Sequence, residues 1–360
     1  MVDFCVIALS GGVDSTVAAL LLRQRFSYLA GATHYIWPNS RCCSLDVFKR
    51  ASYLAEKIFM PYFVIDLHQA FKEKVVADFI SSYLEGVTPN PCVICNEEIR
   101  FGLFYEELQK KLLQEKIITQ ATRLYFATGH YARIVSTPQG CFIAKGRDPK
   151  KDQSYMLYRL PKTMLSNLIF PLGEMLKKDV IEIARQAQFS VAEEKESQDA
   201  CFVDDDYVDF IGKETGRQDL NQPGRIVDLT GNTLGSHHGF IHYTVGQRRG
   251  LGLGNGPWYV VGIRASQNEI VVSRRDFGFK AFNIKKANWF IPPPQHGLAC
   301  SVKIRYQGEE IPALVTALTS EEARVELKQK ELITPGQSAV FYQGEIVLGG
   351  GIIQPPENNS

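Results

Sequence analysis

The sequence predicts an α/β fold in which a doubly wound parallel-sheet domain is followed by a small, mixed, β-rich central domain and a C-terminal antiparallel β-barrel. In the first half of the 360 residues, continuously apolar segments alternate with segments whose apolar residues recur at helical spacing. From about residue 207, short β-rich segments replace the long helices. We therefore predict three domains, at 1–206, 207–280 and 281–360.

Four apolar segments are the predicted strands of the parallel sheet. They cover residues 4–9, 28–35, 62–67 and 124–128. Helical patterns separate them at 45–59, 71–84 and 97–116. Strands that alternate with helices in this way favour β-α-β units, in which consecutive strands lie parallel.

The central segment is the basic part of the chain. It holds nine Lys and Arg against six Asp and Glu, whereas 1–206 holds 24 against 25 and 281–360 holds seven against eight. This excess suits a local contact with nucleic acid, although the overall balance of 40 basic against 39 acidic residues excludes a histone-like coat of positive charge. Beyond it, the strand-like segments at 299–306, 311–318, 323–327, 338–342 and 345–353 predict the barrel.

Hydropathy and cysteine content also predict the cellular compartment of the protein. No apolar run reaches the roughly 18 residues that a membrane helix requires, and no basic segment precedes the first apolar stretch. We therefore expect a cytoplasmic protein without a membrane partner. Its eight cysteines are too few for a secreted disulfide scaffold, so those that matter are expected to be nucleophiles, redox pairs or metal ligands.

A glycine-rich hexapeptide, Ser10-Gly11-Gly12-Val13-Asp14-Ser15, connects the first predicted strand to the first predicted helix. Glycines let the backbone approach an anion, and the start of a helix presents N–H groups with a positive dipole. The hexapeptide lacks the lysine of a standard NTPase loop and the spacing of a dinucleotide-binding loop. A plain turn with Asp14 or Ser15 as the helix cap is the alternative. The hexapeptide resembles the SGGxDS loop of the ATP pyrophosphatase superfamily, which implies cleavage of ATP between its α and β phosphates.

Two separated segments carry the cysteines of interest. Residues 88–96 form a proline-framed turn with Cys92 and Cys95, directly before a helix expected to begin near Glu97. A thiolate at a helix N-terminus is stabilised by the helix dipole, which favours a nucleophile. Cys201 follows an acidic stretch far downstream. Spacing alone leaves three interpretations: a reactive thiol pair, a helix cap with a buried cysteine, and a zinc or iron–sulfur site that uses all three thiolates.

The chain as a whole resembles the tRNA-specific 2-thiouridylases, a family that installs sulfur on the wobble uridine of tRNA. The resemblance rests on the hexapeptide and on separate blocks that follow in the same order. These blocks are 88–96, 127–131, 151–155, 197–202, 243–252, 305–306 and 335–342. The resemblance implies an ATP-dependent tRNA sulfurtransferase that converts uridine 34 to 2-thiouridine and releases AMP and pyrophosphate.

The resemblance also implies roles for individual positions. Cys201 would carry the sulfur as a persulfide, and Cys95 would be the nucleophile that forms a transient disulfide with it. ATP would be bound by Ala8, Leu9, Ser10, Gly11, Gly12, Val13, Asp14, Ser15, His34 and Gly129. The target base would be surrounded by Asn90, Pro91 and Cys92, and tRNA would be contacted by His130, Lys151, Asp152, Gln153, Arg305, Tyr306 and Gln337. Some members carry Asp at the position of Cys92, so an acid or base role for a carboxylate there does not transfer to this chain.

The expected cofactors are ATP and Mg²⁺, with no resident metal ion and with an iron–sulfur cluster as the less favoured possibility. The expected partners are the anticodon stem-loop of tRNA and a persulfide donor, either a cysteine desulfurase or a sulfur-relay protein. One competing function is another enzyme of the superfamily, namely a tRNA thiolase at a different base or a small-molecule amide or amidine ligase. The other is an iron–sulfur or zinc RNA-binding module. The paired cysteines argue against the ligase, and the intact hexapeptide argues against the module.

Overall fold

A computed structural model of the chain describes residues 2–38, 44–189, 200–203, 206–254, 256–274 and 278–355. The chain forms two compact units. The first comprises Met1–Val75, Cys92–Phe202 and Glu345–Val347, and the second comprises Val76–Pro91, Val203–Gly344 and Leu348–Ser360. Cys42, Cys43 and the acidic stretch at 190–199 lie outside the described residues.

Strands and helices alternate in the first part of the chain. The elements up to residue 114 are β1 (Asp3–Ala8), α1 (Val13–Arg25), β2 (Tyr28–Tyr35), α2 (Leu45–Lys57), β3 (Tyr62–Asp66), α3 (His68–Phe71), a π-helical turn (Lys72–Val76), α4 (Ala77–Leu84), α5 (Pro91–Ile94), a π-helical segment (Cys95–Leu103) and α6 (Phe104–Gln114). Next come β4 (Arg123–Ala127), the hairpin β5 (Ala132–Thr137) and β6 (Gly140–Lys145), two 3-10 helices (Ser154–Leu157 and Lys162–Asn167), β7 (Leu168–Ile169) and α7 (Lys177–Gln186).

The first unit is built on a five-stranded parallel sheet with the order β3-β2-β1-β4-β7. β1 is its central strand, and the side chains of Cys5, Val6 and Ile7 are fully buried. Cys5 and Ile7 share one apolar core with residues of α1 and α2, such as Val17 and Leu54. The predicted doubly wound sheet and its four long strands are therefore confirmed. The β5–β6 hairpin and α7 were not anticipated.

The central part of the second unit is a small mixed sheet. Its elements are α8 (Tyr207–Thr215), β8 (Gly224–Val227), β9 (Thr233–His237), a 3-10 helix (Phe240–His242), β10 (Tyr259–Arg264), a 3-10 helix (Ala265–Gln267) and β11 (Glu269–Ser273). The sheet order is β10-β11-β8-β9, and only the β11–β8 pair among these strands is parallel. Ile226, Val260 and Ile270 form its buried core. This confirms the predicted mixed, β-rich central domain.

A closed six-stranded barrel completes the second unit. Its strands are β12 (Phe279–Trp289), β13 (Leu298–Lys303), β14 (Ile311–Ala317), β15 (Ala323–Glu331), β16 (Ser338–Gln343) and β17 (Ile346–Ile353). They follow the order β12-β15-β14-β13-β16-β17, and an antiparallel β12–β17 pairing closes the ring. Buried and exposed residues alternate at the start of β15, as expected for a strand with one face on a core. The predicted antiparallel barrel is confirmed.

The helices are short. α1 and α2 have 13 residues each, whereas a transmembrane helix needs about 20 apolar residues. Among the described residues, no helix is long and apolar enough to cross a membrane.

Candidate active site

The glycine-rich loop between β1 and α1 is organised around the hydroxyl of Ser15. Ser10 donates to this hydroxyl from its backbone N–H and from its own hydroxyl, both at 3.2 Å, and Ser15 donates to the carbonyl of Gly12 at 3.0 Å. The N-cap of α1 is Gly12, which has no side chain to occupy the first N–H groups of the helix. Neither Asp14 nor Ser15 is the cap, so the plain capped turn is excluded. An uncapped helix start that follows two glycines suits a bound anion.

Gly129 lies directly against this loop. β1 stands between β2 and β4, so the crevice at the carboxyl ends of β1 and β4 is the switch point where α/β sheets bind ligands. Gly129 follows β4 at that edge. A Cβ at Gly129 would lie 3.0 Å from the backbone nitrogen of Ser15 and 3.1 Å from the carbonyl carbon of Asp14. Glycine therefore permits a close approach of two backbones at the predicted ATP site.

His34 lies at the same edge of the sheet, near the end of β2. Its side chain is buried, and its ring centroid is 5.1 Å from that of Phe104 at the start of α6. In the sheet it is the register partner of Ile65 of β3. The structure thus places His34 on the same sheet edge as the loop and Gly129.

Asp14 is the carboxylate of the loop, and its charge is balanced by a residue that sequence reasoning missed. Both carboxylate oxygens lie 2.7–2.8 Å from the ammonium of Lys177, the first residue of α7. The hydroxyl of Tyr131 donates to one of them at 2.8 Å. No local pattern pointed to Lys177, because 163 positions separate it from Asp14.

A second unpredicted cation approaches Gly11 from α2. A Cβ at Gly11 would be 3.0 Å from the carbonyl oxygen of Val47 and 3.4 Å from Nε of Arg50. Gly11 also has a φ of +67°, in the left-handed region that favours glycine. The loop therefore has a guanidinium on one side and the Lys177–Asp14 pair on another.

The helix that carries the first cysteine pair begins earlier than the sequence suggested. We expected it to begin near Glu97, but α5 begins at Pro91 and continues directly into the π-helical segment. Proline at the first helical position fits, because its missing N–H would have no partner there. Cys92 is exposed in the first turn, whereas Cys95 is half-buried one turn further on. The argument that the helix N-terminus stabilises a thiolate therefore applies to Cys92 and was wrong for Cys95.

The π-helical segment is irregular near its end. Gly102 has φ −91° and ψ −106°, and a Cβ there would lie 2.8 Å from the carbonyl oxygen of Glu97. Departures of this kind inside helices are frequent at functional sites. Here the irregularity lies between Cys95 and the regular helix α6.

Cys201 is linked to the Cys95 helix by the aromatic packing of the residue that follows it. The neighbouring ring of Phe202 packs edge-on against Phe71, with centroids 5.4 Å apart. α3, which ends at Phe71, packs against the π-helical segment that begins at Cys95. An ion pair of 2.7 Å between Lys74 and Glu98 joins the same two parts of the chain. The Cys95 helix and the residue after Cys201 thus both pack on one short stretch, 68–74, and both cysteines are half-buried.

Two other cysteines have the properties of structural residues. Burial raises the pKa of Cys5 in β1 to about 12, and it raises the pKa of Cys300 in β13 to about 12 as well. Thiols with such pKa values carry almost no thiolate at neutral pH. Within the described parts of the chain, no three His, Cys, Asp or Glu side chains form a group that could hold a metal ion.

His130 is buried beside Gly129. Its Nδ1 lies 2.7 Å from the hydroxyl of Thr128, and its Nε2 lies 3.5 Å from Nη1 of Arg100. Burial, and secondarily the charge of Arg100, lowers the pKa of His130 to about 3, so the ring is neutral at pH 7. Arg100 also donates to the side-chain oxygen of Asn96, the residue after Cys95, at 2.9 Å. His130 thereby connects the loop side of the site to the cysteine helix.

The predicted tRNA triplet forms a tight local turn in the first unit. Asp152 accepts from the backbone N–H groups of Gly146 and Ser154, each at 3.0 Å. Gln153 accepts from the backbone N–H of Tyr131 at 3.0 Å. Lys151 is half-buried. Gln153 therefore holds the residue that follows His130, and Asp152 holds the turn itself.

In the second unit, Gln337 and the segment before Asn90 are brought together. The Gln337 amide donates to the carbonyl oxygens of Thr88 and Pro89 at 3.0 and 3.2 Å. Arg305, which is exposed and next to Tyr306, donates to the carbonyl of Leu332 at 3.0 Å. Gln337 thus positions the backbone that leads into Asn90 and Pro91.

Similarity to known proteins defines the family. Residues 3–205 match the family model described as tRNA methyl transferase HUP domain, 209–274 match its PRC-barrel domain, and 279–353 match the aminomethyltransferase beta-barrel domain. The chain is 42% identical to tRNA-specific 2-thiouridylase MnmA of Geotalea uraniireducens, over 98% of this chain and 95% of that protein. This chain belongs to the tRNA-specific 2-thiouridylase family.

A further 2-thiouridylase, MnmA of Acidithiobacillus ferrooxidans, is also 42% identical and covers 98% of both chains. Among solved structures, the U34-tRNA thiolase NcsA from Methanococcus maripaludis with its 4Fe-4S cluster is 18% identical, with a TM-score of 0.31 over 61% of this chain and 66% of that one. That similarity is too low to carry an argument. Membership of the 2-thiouridylase family rests on the full-length relatives.

Proposed function

We propose that this protein catalyses the ATP-dependent conversion of uridine 34 of tRNA to 2-thiouridine. The observation that carries the proposal is that one compact unit holds an SGGVDS loop at the switch point of its sheet and two half-buried cysteines whose neighbouring residues pack on the same stretch, 68–74. The full-length relatives named as tRNA-specific 2-thiouridylases support the same reaction.

The nucleotide half of the reaction is assigned to the loop. Residues 8–15 with His34 and Gly129 would bind ATP, and the N–H groups at the start of α1 would hold the departing pyrophosphate. Asp14 offers the oxygen donors that Mg²⁺ prefers, although Lys177 holds them in this structure. The ion, when bound, would neutralise phosphate charge.

Adenylation turns a poor leaving group into a good one. The oxygen at carbon 2 of uridine attacks the α-phosphorus of ATP, the bond between that phosphorus and the bridging oxygen of pyrophosphate breaks, and the proton on ring nitrogen 3 passes to water. A base in an anticodon loop must leave its stack to be modified. Asn90, Pro91 and Cys92 would surround it.

Sulfur transfer then replaces the adenylated oxygen. The terminal sulfur of a Cys201 persulfide forms a bond to carbon 2, and AMP leaves with the oxygen. The Cys95 thiolate attacks Sγ of Cys201, which breaks the sulfur–sulfur bond of the persulfide and leaves a Cys95–Cys201 disulfide. The transferred sulfur is reduced by the two electrons that the cysteine pair gives up, so an external thiol must reduce the disulfide before the next turnover.

The proposal includes partners and a location. The persulfide would come from a cysteine desulfurase, directly or through a sulfur-relay protein, in the cytoplasm. We assign 1–206 to catalysis, the basic segment 207–280 to tRNA binding and 281–360 to the barrel. His130, the triplet Lys151, Asp152 and Gln153, and Arg305, Tyr306 and Gln337 are the proposed tRNA contacts.

Arg305→Ala tests the phosphate contact in the second unit. Each phosphate contact that is lost should lower the slope of log affinity against log salt by about one unit. Filter binding of tRNA across a salt series measures this slope, and Arg324→Ala, which changes an exposed arginine on β15, is the control. An unchanged slope would rule out a phosphate contact at Arg305.

The function itself is tested by incubating the protein with tRNA, ATP and a persulfide donor. We expect digested tRNA to contain 2-thiouridine at position 34, detected by nucleoside mass analysis as an exchange of oxygen for sulfur. Sulfur at another base would support a different thiolase. Stoichiometric iron in anaerobically purified protein would contradict the disulfide scheme.

A further inference from the structure

Arg100 is a cation with neutral partners in the centre of the first unit. It is half-buried within the π-helical segment that begins at Cys95. Its Nη1 donates to the amide oxygen of Asn96 at 2.9 Å and faces Nε2 of His130 at 3.5 Å. Because a guanidinium can only donate, Nε2 is the acceptor, and Nδ1 carries the proton that it shares with Thr128. Both partners of Arg100 are therefore uncharged.

Two other cations that contact this helix have carboxylate partners. Arg159 pairs with Glu97 at 2.7 Å, and Lys74 pairs with Glu98 at 2.7 Å. Lys177 pairs with Asp14 in the loop. Arg100 makes no ion pair with any residue that the structure describes. Its positive charge is thus unbalanced in a site that receives an anionic nucleotide.

The position of Arg100 relates that charge to the reaction. His130 directly follows Gly129, which packs against the backbone of Ser15. Asn96 directly follows Cys95. Arg100 contacts Asn96 on its own helix and His130 beside Gly129, so its guanidinium points from the cysteine helix towards the residues that pack on the pyrophosphate loop.

We propose that Arg100 binds the α-phosphate of ATP during adenylation of the uridine oxygen. This inference rests on the proposed function. As the bond from the uridine oxygen to the α-phosphorus forms and the bond to pyrophosphate breaks, Arg100 stabilises the charge on the transferring phosphoryl group. Arginine suits this role because its planar fork holds two phosphate oxygens at once. Asn96 and His130 hold the guanidinium in place before ATP binds.

The test compares Arg100→Gln and Arg100→Lys with Lys110→Gln, an exposed lysine on the helix that continues the same segment. The measurement is tRNA-dependent formation of AMP from labelled ATP. Loss of one preorganised donor should reduce the rate by about 10² to 10³-fold in Arg100→Gln, with partial recovery in Arg100→Lys. Lys110→Gln should match the wild type. The affinity for tRNA should not change.

Three results would overturn the proposal. Normal AMP formation in Arg100→Gln excludes the role outright, and if that variant does not fold, normal AMP formation in Arg100→Met excludes it. If the Arg100 variants bind tRNA more weakly and with a reduced salt slope, Arg100 contacts a backbone phosphate of the RNA instead. If the variants lose thiolation but form AMP normally, Arg100 acts in sulfur transfer and not in adenylation. If the wild type itself forms no AMP with tRNA, the proposed function fails instead.

Discussion

The two halves of the candidate site are built in different ways. The centre of the nucleotide half is a contiguous strand, loop and helix start, whose geometry is fixed by hydrogen bonds among Ser10, Gly12 and Ser15. The sulfur half joins Cys95 and Cys201, which depend on packing through Phe71 and Phe202. Local structure can specify the loop itself, whereas only the folded unit adds His34, Gly129 and Lys177 to it and assembles the sulfur half. Substitutions in the two halves should therefore affect different steps.

The largest effect is expected at the cysteines. Cys95→Ser and Cys201→Ser should each reduce thiolation by about 10³-fold or more, because both thiols act in one transfer step. Binding of tRNA and ATP should persist, since the loop does not depend on either thiol. Nucleoside mass analysis and filter binding measure the two properties.

The matched control is Cys300→Ser, which alters a half-buried thiol of the barrel whose pKa is raised to about 12. It should retain thiolation. Full activity of either Cys95→Ser or Cys201→Ser would contradict the assigned roles.

A smaller effect is expected at the loop carboxylate. Lys177→Met leaves Asp14 uncompensated beside the phosphates, so the KM for ATP should rise about 30-fold, as for loss of a hydrogen bond between charged groups. Transfer of sulfur onto Cys201 from a persulfide donor should not change. Steady-state AMP formation and mass analysis of the protein check these two outcomes.

Lys178→Met is the control, because the neighbouring lysine is exposed on the same helix. In an Asp14→Asn background, Lys177→Met should raise the KM for ATP by a smaller factor than it does in the wild type. An equal rise in KM in both backgrounds would show that Lys177 does not act through Asp14.

Gly129→Ala should lower AMP formation by about tenfold. The new Cβ would have to move the backbone of Ser15 by a few tenths of an ångström, and misplacement of about 1 Å in a site can cost about 10²-fold. Gly254→Ala is the control, since a Cβ there meets nothing within 4 Å. An unaltered rate in Gly129→Ala would mean that the two backbones need not meet so closely.

The smallest effect concerns His130, which joins the two halves. Its pKa is about 3 in the folded protein and about 6.5 in an unfolded chain, so the unfolded state binds more protons between these values. The stability contribution of the neutral ring is present above pH 6.5 and is lost as the pH falls. Between pH 7 and pH 5.5 the loss should be about 1 kcal/mol.

Urea unfolding of the wild type and His130→Gln at both pH values measures this loss. The variant should lose less stability on acidification than the wild type, because it lacks the titrating ring. Equal losses would indicate that His130 is protonated in the folded state.

The sequence analysis recovered features that are local or repeated along the chain. The strands around Val6 and Phe126 were found because fully buried parallel strands are continuously apolar. The start of the Cys95 helix was placed too late, because Pro91 was interpreted as part of a turn although proline also suits the first position of a helix. The sequence analysis missed the cations Arg50, Arg100 and Lys177. Each lies near the site through the tertiary fold, and no local sequence pattern predicts such contacts.

The π-helical segment between Cys95 and α6 has a consequence for chain length in this family. A π turn accommodates one residue more than an α turn, so it behaves as a single-residue insertion within a helix. Deleting one residue between Cys95 and Phe104 would rotate everything before the deletion by about 100° relative to α6. Cys95 would then face another direction, whereas residues after the deleted position, such as Arg100 or Phe101, would keep their orientation relative to α6. Alignments of active relatives should therefore be free of gaps across this segment, even where residue identities change.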